Sequence, residues 1–232
     1  MAAERVVRGK GRLSTKVRAA VLASTLSVGA LVALLSLSGC DKLGLGSTAG
    51  TAPATASFHG VDITGADYAH KLQLKDVDGR MRDLSEFKGK VVFVFFGFTQ
   101  CPDVCPTTMA ELAEVRKRLG PDGKRVQGVF VTVDPERDTA AVLKAYLGGM
   151  DPSFIGLRGE LPETEAASRE FKVFYQKVPT KDNNYTMDHT AGAFVFDPDG
   201  QVRLFVRYGT KVEDLTADIR QLLLQVSPSP KG

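Results

Sequence analysis

What most narrows the fold of this 232-residue chain is an abrupt change of period near residue 97. In "KGKVVFVFFGF", Val91 to Phe96 form an unbroken β-branched and aromatic run, the pattern of a central strand buried on both faces. Beyond Pro106 the apolar residues fall instead at Met109, Leu112, Val115 and Leu119, a helical spacing. Pro106 suits the first turn of that helix, where its missing N–H costs nothing. A buried strand therefore hands over to a helix across one short loop, and that loop carries Cys101 and Cys105.

The rest of the chain alternates in the same way. "KLQLKDVDGRMRDL" predicts a hairpin about Asp78-Gly79. After the cysteine helix come a strand over 126–133, the loop "DPERD", a helix over 139–147, a short strand over 154–157 and a helix over 163–171. A long polar loop is expected over "YQKVPTKDNNYTMDHTAG". Strands "AFVFD" and "VRLFVRY" then flank a Pro198-Asp199-Gly200 turn, and a helix over 215–226 closes the chain. Strand–helix–strand units ending in a hairpin and a helix describe an α/β sandwich, a central mixed sheet flanked by helices. With two cysteines at a strand-to-helix junction, this order resembles the thioredoxin fold. The extra N-terminal hairpin and longer insertions resemble its peroxiredoxin-sized branch.

The amino terminus reads as an address. Arg5, Arg8, Lys10, Arg12, Lys16 and Arg18 precede an uncharged run over 19–37, the order of a secretory leader. The run closes in "LSGC", which resembles a bacterial lipoprotein processing site with Cys40 as the lipid-carrying residue. An uncleaved anchor is the alternative, because the run approaches the roughly 20 residues of a membrane-spanning helix. Four segments are expected: a signal peptide over 1–39, lipidated Cys40 with a flexible tether over 40–57, one domain over 58–226, and a tail over 227–232. The domain is then expected at the cell membrane, lipid-anchored, on its extracytoplasmic (periplasmic) side. Residues 1–39 carry six cations and one acid, +5 against +3 for the whole chain, which leaves −2 for the remainder. So faint an acidity offers no electrostatic basis for binding nucleic acid. With Cys40 lipidated, Cys101 and Cys105 are the one remaining pair.

A thiolate at the amino end of a helix is stabilised by the helix dipole and unpaired N–H groups, so this pair would make good ligands and good nucleophiles alike. If Cys105 begins the helix and Cys101 sits on the turn before it, both sulfurs converge on one point. An inert staple is the weaker reading, because closing so short a loop removes little unfolded-state entropy. Three residues separate the cysteines where thioredoxin-type oxidoreductases have two, and "AFVFD" is preceded by "DHTAG" rather than by their cis-proline. His189 stands in that place, and the fold would bring it beside the cysteines. Thiolates and imidazole suit copper or zinc; zinc wants a closed set of four ligands whereas Cu(I) accepts fewer, so copper fits better.

The motifs "GFTQCPDVCPTTM", "VDPERDT" and "YTMDHTAGAFVFDPDG", in this order and at these separations, resemble the Sco/SenC family of copper proteins. The resemblance covers about residue 58 to the final helix. It implies Cys101, Cys105 and His189 as metal ligands and a copper ion as cargo, Cu(I), with Cu(II) left open as a second state. It implies as partners the copper-bearing subunit of cytochrome c oxidase, whose binuclear centre the family helps to assemble, and other copper chaperones or a thiol reductant. Nothing in the sequence demands more than a monomer. The competing function is a thiol-disulfide oxidoreductase that reduces the copper-site cysteines of that subunit, with Cys101 and Cys105 as the redox-active pair and Cys101 attacking. A peroxidase is a third reading, disfavoured by the twin-cysteine motif.

Around these residues, Asp138 is expected to cap the helix that opens at Thr139, and Asp134 is left open. Asp188 is a candidate to orient His189. Met187 is expected to pack, with a thioether ligand as the alternative. His59 and His70 are expected at the surface, and Lys172, Lys177 and Lys181 as solvated side chains, with a docking patch for an acidic partner as the alternative.

Overall fold

A computed structural model describes residues 57–181 and 183–225 of the chain. The expected leader, Cys40, all but the last residue of the tether, and the tail lie outside the described residues. In chain order the elements are β1 (Val61–Asp62), β2 (Gln73–Asp76), β3 (Met81–Asp83), β4 (Val91–Gly97), α1 (Val104–Arg118), β5 (Val126–Thr132), α2 (Ala140–Gly148), β6 (Ile155–Arg158), α3 (Leu161–Glu170), β7 (Tyr175–Pro179), β8 (Tyr185–His189), β9 (Gly192–Phe196), β10 (Val202–Arg207) and α4 (Val212–Leu224). No helix among the described residues is long and apolar enough to cross a membrane.

Eight strands form one mixed sheet in the order β1-β10-β9-β4-β5-β6-β2-β3. β4, β5 and β6 run parallel, joined through α1 and α2, while β9, β10 and the two outer pairs are antiparallel. This is the thioredoxin-like sandwich, widened at one side by β6 and the β2–β3 hairpin. The apolar run lies at its centre: every residue of β4 is buried, as is every residue of β5 beside it. One face is covered closely. A Cβ at Gly128 would strike Leu112 of α1 and Phe154, and one at Gly156 would strike Leu143 and Leu147 of α2. On the opposite face Phe171, at the end of α3, is fully buried among Phe96, Phe194 and Phe196, with ring centroids 5.1, 5.2 and 6.2 Å away.

The region expected as a long polar loop is a second, two-stranded sheet. β7 pairs with β8 in antiparallel register from Tyr175↔His189 to Pro179↔Tyr185. Its turn includes Asn183 in the left-handed region (φ 54°), which asparagine tolerates better than most residues. Only Met187 among its ten strand residues is buried. A hairpin with so little apolar alternation looks like a loop to any reading of hydrophobic period, and its backbone hydrogen bonds are invisible there. Helix starts also come earlier than the apolar pattern suggests, at Val104, Leu161 and Val212.

Phe171 joins the strands of the opposite face, so Phe171→Ala should lower the unfolding free energy by about 3–5 kcal/mol in urea denaturation. A loss below about 1 kcal/mol would contradict this packing.

Candidate metal centre

β4 delivers the chain to the site and α1 starts it. Phe98 is still buried, the Cys101 N–H donates to the Phe98 carbonyl at 3.3 Å, and α1 opens three residues after Cys101. The first N–H groups of a helix need acceptors from outside it. Asp103 stands at the capping position, yet its carboxylate makes no cap. The Cys101 sulfur takes that part instead, accepting from the Cys105 N–H at 3.4 Å. Cys105 is fully buried and Cys101 partly exposed, and both are free thiols. Gly97 makes room for them: a Cβ there would lie 2.9 Å from the Cys105 sulfur and 2.8 Å from the Phe95 ring.

The two thiols are electrostatically unequal. The Cys101 thiol is pulled down to about 5, first by the hydrogen bond from the Cys105 thiol and then by backbone N–H groups at the helix start, against the opposing effect of burial. Cys105 moves the other way, well above the ordinary thiol value, because it donates to Cys101 and because it is buried. The reduced pair is therefore a thiolate at Cys101 hydrogen-bonded by a thiol at Cys105.

His189 ends β8 and points its ring at this pair. Its Nε2 lies 3.6 Å from the Cys105 sulfur, and its Nδ1 lies 3.1 Å from the Thr190 carbonyl. In the tautomer that satisfies the Thr190 contact, Nδ1–H donates and Nε2 keeps a lone pair facing the sulfurs. The ring stands edge-on to Phe95 and Phe98, with centroids 6.0 and 5.8 Å away, so apolar walls hold it in place. Donor atoms of Cys101, Cys105 and His189 all lie within 4.8 Å of one another. No other such cluster of His, Cys, Asp and Glu occurs among the described residues. Two sulfurs and one imidazole nitrogen so placed suit a soft cation of low coordination number.

Other expectations change. Asp138 does not cap α2: the Thr139 side chain does, accepting from the Val142 N–H. Asp138 is fully buried and accepts from the Thr99 N–H at 3.0 Å, the Thr99 hydroxyl at 2.6 Å and the Thr132 hydroxyl at 2.6 Å. Burial pushes its pKa up, and these three bonds oppose the rise. It thereby ties the loop before Cys101 to the end of β5. Asp188 is exposed, and the Thr190 carbonyl holds the His189 Nδ1 in its stead. Met187 is core. Lys172 pairs with Asp67 and Lys177 with Glu136, so neither is simply solvated. His59 and His70 are exposed, as expected, but the His59 Nδ1 lies 2.9 Å from buried Asp218. Gly97, Phe98, Thr99 and Thr190 lie inside the quoted motifs, and Phe95 inside the apolar run, yet the sequence assigns them no role of their own. Only their closeness along the chain to the cysteines or His189 could have signalled them.

Comparison with known proteins agrees with this geometry. A family model described as SCO1/SenC matches residues 61–224. A SCO2-like protein of Rickettsia felis is 36% identical over 183 residues, covering 78% of this chain and 84% of the relative. The mitochondrial SCO2 homolog of Bos taurus is 35% identical over 151 residues, covering 64% of this chain. The chain spans 57% of that bovine protein, little more than half its length. A solved structure of Bradyrhizobium japonicum ScoI with copper bound shares 41% identity at a TM-score of 0.60, covering 66% of this chain and 97% of its own.

The inequality of the thiols is directly measurable. In the reduced protein, alkylation at Cys101 should stay fast across neutral pH and fall only as pH drops through about 5, because the thiolate persists down to there. Cys105 should stay unmodified over the same range. A midpoint for Cys101 near the ordinary value of about 8.5 would contradict the assignment.

Proposed function

The chain belongs to the SCO1/SenC family, and we propose that it is a copper carrier that binds Cu(I) through Cys101, Cys105 and His189. In this reading it passes the ion to the copper-bearing subunit of cytochrome c oxidase. The leader and "LSGC" support attachment to the membrane through Cys40, with the domain on the extracytoplasmic side. The observation that carries the proposal is the convergence of two sulfurs and a lone-pair nitrogen within 4.8 Å. Soft sulfur ligands select Cu(I), and a three-donor set satisfies it. Bradyrhizobium japonicum ScoI, 41% identical and solved with copper bound, supports the same choice of metal.

The roles of the residues follow from their environments. Cys101, partly exposed and already a thiolate, meets the ion first. Cys105 must give up its proton when the ion enters, so loading releases a proton and weakens as pH falls. His189 offers the Nε2 lone pair in the tautomer its Thr190 contact favours. A Cys101–Cys105 disulfide would have no thiolate to offer, so loading needs the reduced pair.

The depressed Cys101 thiol favours a second reading, reduction of a client disulfide. The Cys101 thiolate would attack one client sulfur and expel the other as a thiolate. Cys105, losing its proton to that leaving thiolate, would then attack the Cys101 sulfur, break the mixed disulfide, release the client sulfur first attacked as a thiolate and close Cys101–Cys105. The client gains two electrons that the pair loses, and an external dithiol must restore it.

The two readings part at His189. Anaerobic Cu(I) titration of the reduced full chain against a competing chelator, in a Cys40→Ser background, should give one tight ion. His189→Ala should weaken it by more than about 100-fold, since loss of an outer-sphere partner alone typically costs 10–100-fold. Unchanged affinity in the variant would remove His189 from the ligand set. Absence of tight copper in both, with client disulfides still reduced, would select the reductase.

A further inference from the structure

The loop "DPERD" touches neither the sulfurs nor the imidazole, yet both halves of the site hang from it. We infer that residues 134–138 form a frame that sets the spacing between the thiolates and His189, and that Arg137 is the positioning residue for the imidazole. The inference rests on the reading of Cys101, Cys105 and His189 as the copper ligands.

The half that needs holding is the β7–β8 hairpin. It lies outside the main sheet, and an isolated two-stranded hairpin is marginal in water. At its open end the backbone is tied by Thr190, whose N–H donates to the Phe174 carbonyl at 3.0 Å. At its other end Tyr185, the first residue of β8, is gripped at three points. The Arg137 guanidinium lies 3.7 Å from the centroid of the Tyr185 ring, and its Nη1 donates to the Tyr185 carbonyl at 2.7 Å. The Tyr185 hydroxyl donates to Asp134 at 2.9 Å, and Asp134, 1% exposed, also accepts from the Arg137 Nε. Lys177 on the facing strand pairs with Glu136 of the same loop at 2.6 Å.

His189 is the last residue of the strand that Tyr185 begins, roughly 13 Å along it at the rise of an extended chain. Pinning Tyr185 therefore fixes where His189 lies along the strand direction. A shorter path runs through Phe98: the Arg137 guanidinium lies 6.0 Å from that ring, which in turn meets the His189 ring edge-on at 5.8 Å. One residue beyond Arg137, Asp138 holds Thr99 and with it the approach to Cys101. A single loop continuing directly from β5 thus grips the imidazole side with Arg137 and the thiolate side with Asp138.

A double-mutant cycle separates positioning from general stability. Cu(I) affinity is measured by chelator competition on the reduced full chain, solubilised in detergent with Cys40→Ser. Arg137→Ala should weaken binding roughly 10–100-fold. Arg137→Lys should rescue little, because it keeps the charge and loses the planar fork. Tyr185→Phe, which removes one hydroxyl, should cause a smaller loss in the same direction. In a His189→Ala background the Arg137→Ala loss should shrink to less than about twofold, since the residue acts through the imidazole. In the metal-free protein, amide hydrogen exchange should accelerate over 185–190 in the Arg137→Ala variant and stay unchanged over β4 and β5. No loss with Arg137→Ala, an equal loss in both backgrounds, or faster exchange throughout the domain would overturn the inference. If His189→Ala alone costs no affinity, the ligand assignment itself fails and this inference falls with it.

Discussion

The hydrogen bond from the Cys105 N–H to the Cys101 sulfur joins the folding of α1 to the chemistry of the site. The helix opens against a buried core, and its first N–H groups must find acceptors there. Asp103, in the place where a carboxylate normally caps, does not supply one. A sulfur does, and the Cys101 thiol is pulled down first by the hydrogen bond from the Cys105 thiol and then by these same N–H donors. Its reactivity thus depends on the neighbouring thiol and, to a lesser degree, on how the helix starts. The Cys105 thiol, which donates to the Cys101 sulfur and is fully buried, is pushed up and stays protonated.

The two halves of the site rest on supports of different kinds. The sulfurs stand at the junction of β4 and α1, elements anchored in the centre of the sheet, where every residue of β4 is buried. The imidazole stands at the end of a hairpin with a single buried strand residue, steadied by Phe95, Phe98 and the Thr190 carbonyl. Thinly buried elements open at lower free energy than core strands. The thiolate pair is therefore the rigid half, and the imidazole half depends on side-chain contacts made outside the main sheet.

Much of this is legible in the residues. A continuous apolar run, two cysteines and a helical spacing specify a strand-to-helix junction, because burial on both faces and amphipathic period each leave a strong one-dimensional trace. The β7–β8 hairpin leaves none, since its strands bury almost nothing and its pairing is backbone to backbone. Asp138 departs from expectation for a related reason. An acid just before a helix fits a cap by local rules, and only the tertiary arrangement brings Thr99 and Thr132 within reach of its carboxylate. Asp188 adjoins His189 in the chain, but successive strand residues point to opposite faces, so the neighbour is poorly placed to follow the imidazole inward.

By itself the sequence determined an α/β order with a pair of thiols at a helix start, because these follow from period, spacing and residue chemistry along one dimension, while His189 was named as their partner only through resemblance to the thioredoxin fold and the Sco/SenC family. Tertiary structure alone decided that the three donors meet within 4.8 Å and that the Cys101 thiol is pulled down while its neighbour is pushed up. It also decided which atoms hold the imidazole: a carbonyl, two aromatic rings, and a hairpin tied by Arg137 to a loop 48 residues earlier than Tyr185. Distances across the sheet and burial at a helix end arise only when separate segments pack, and no local pattern encodes them.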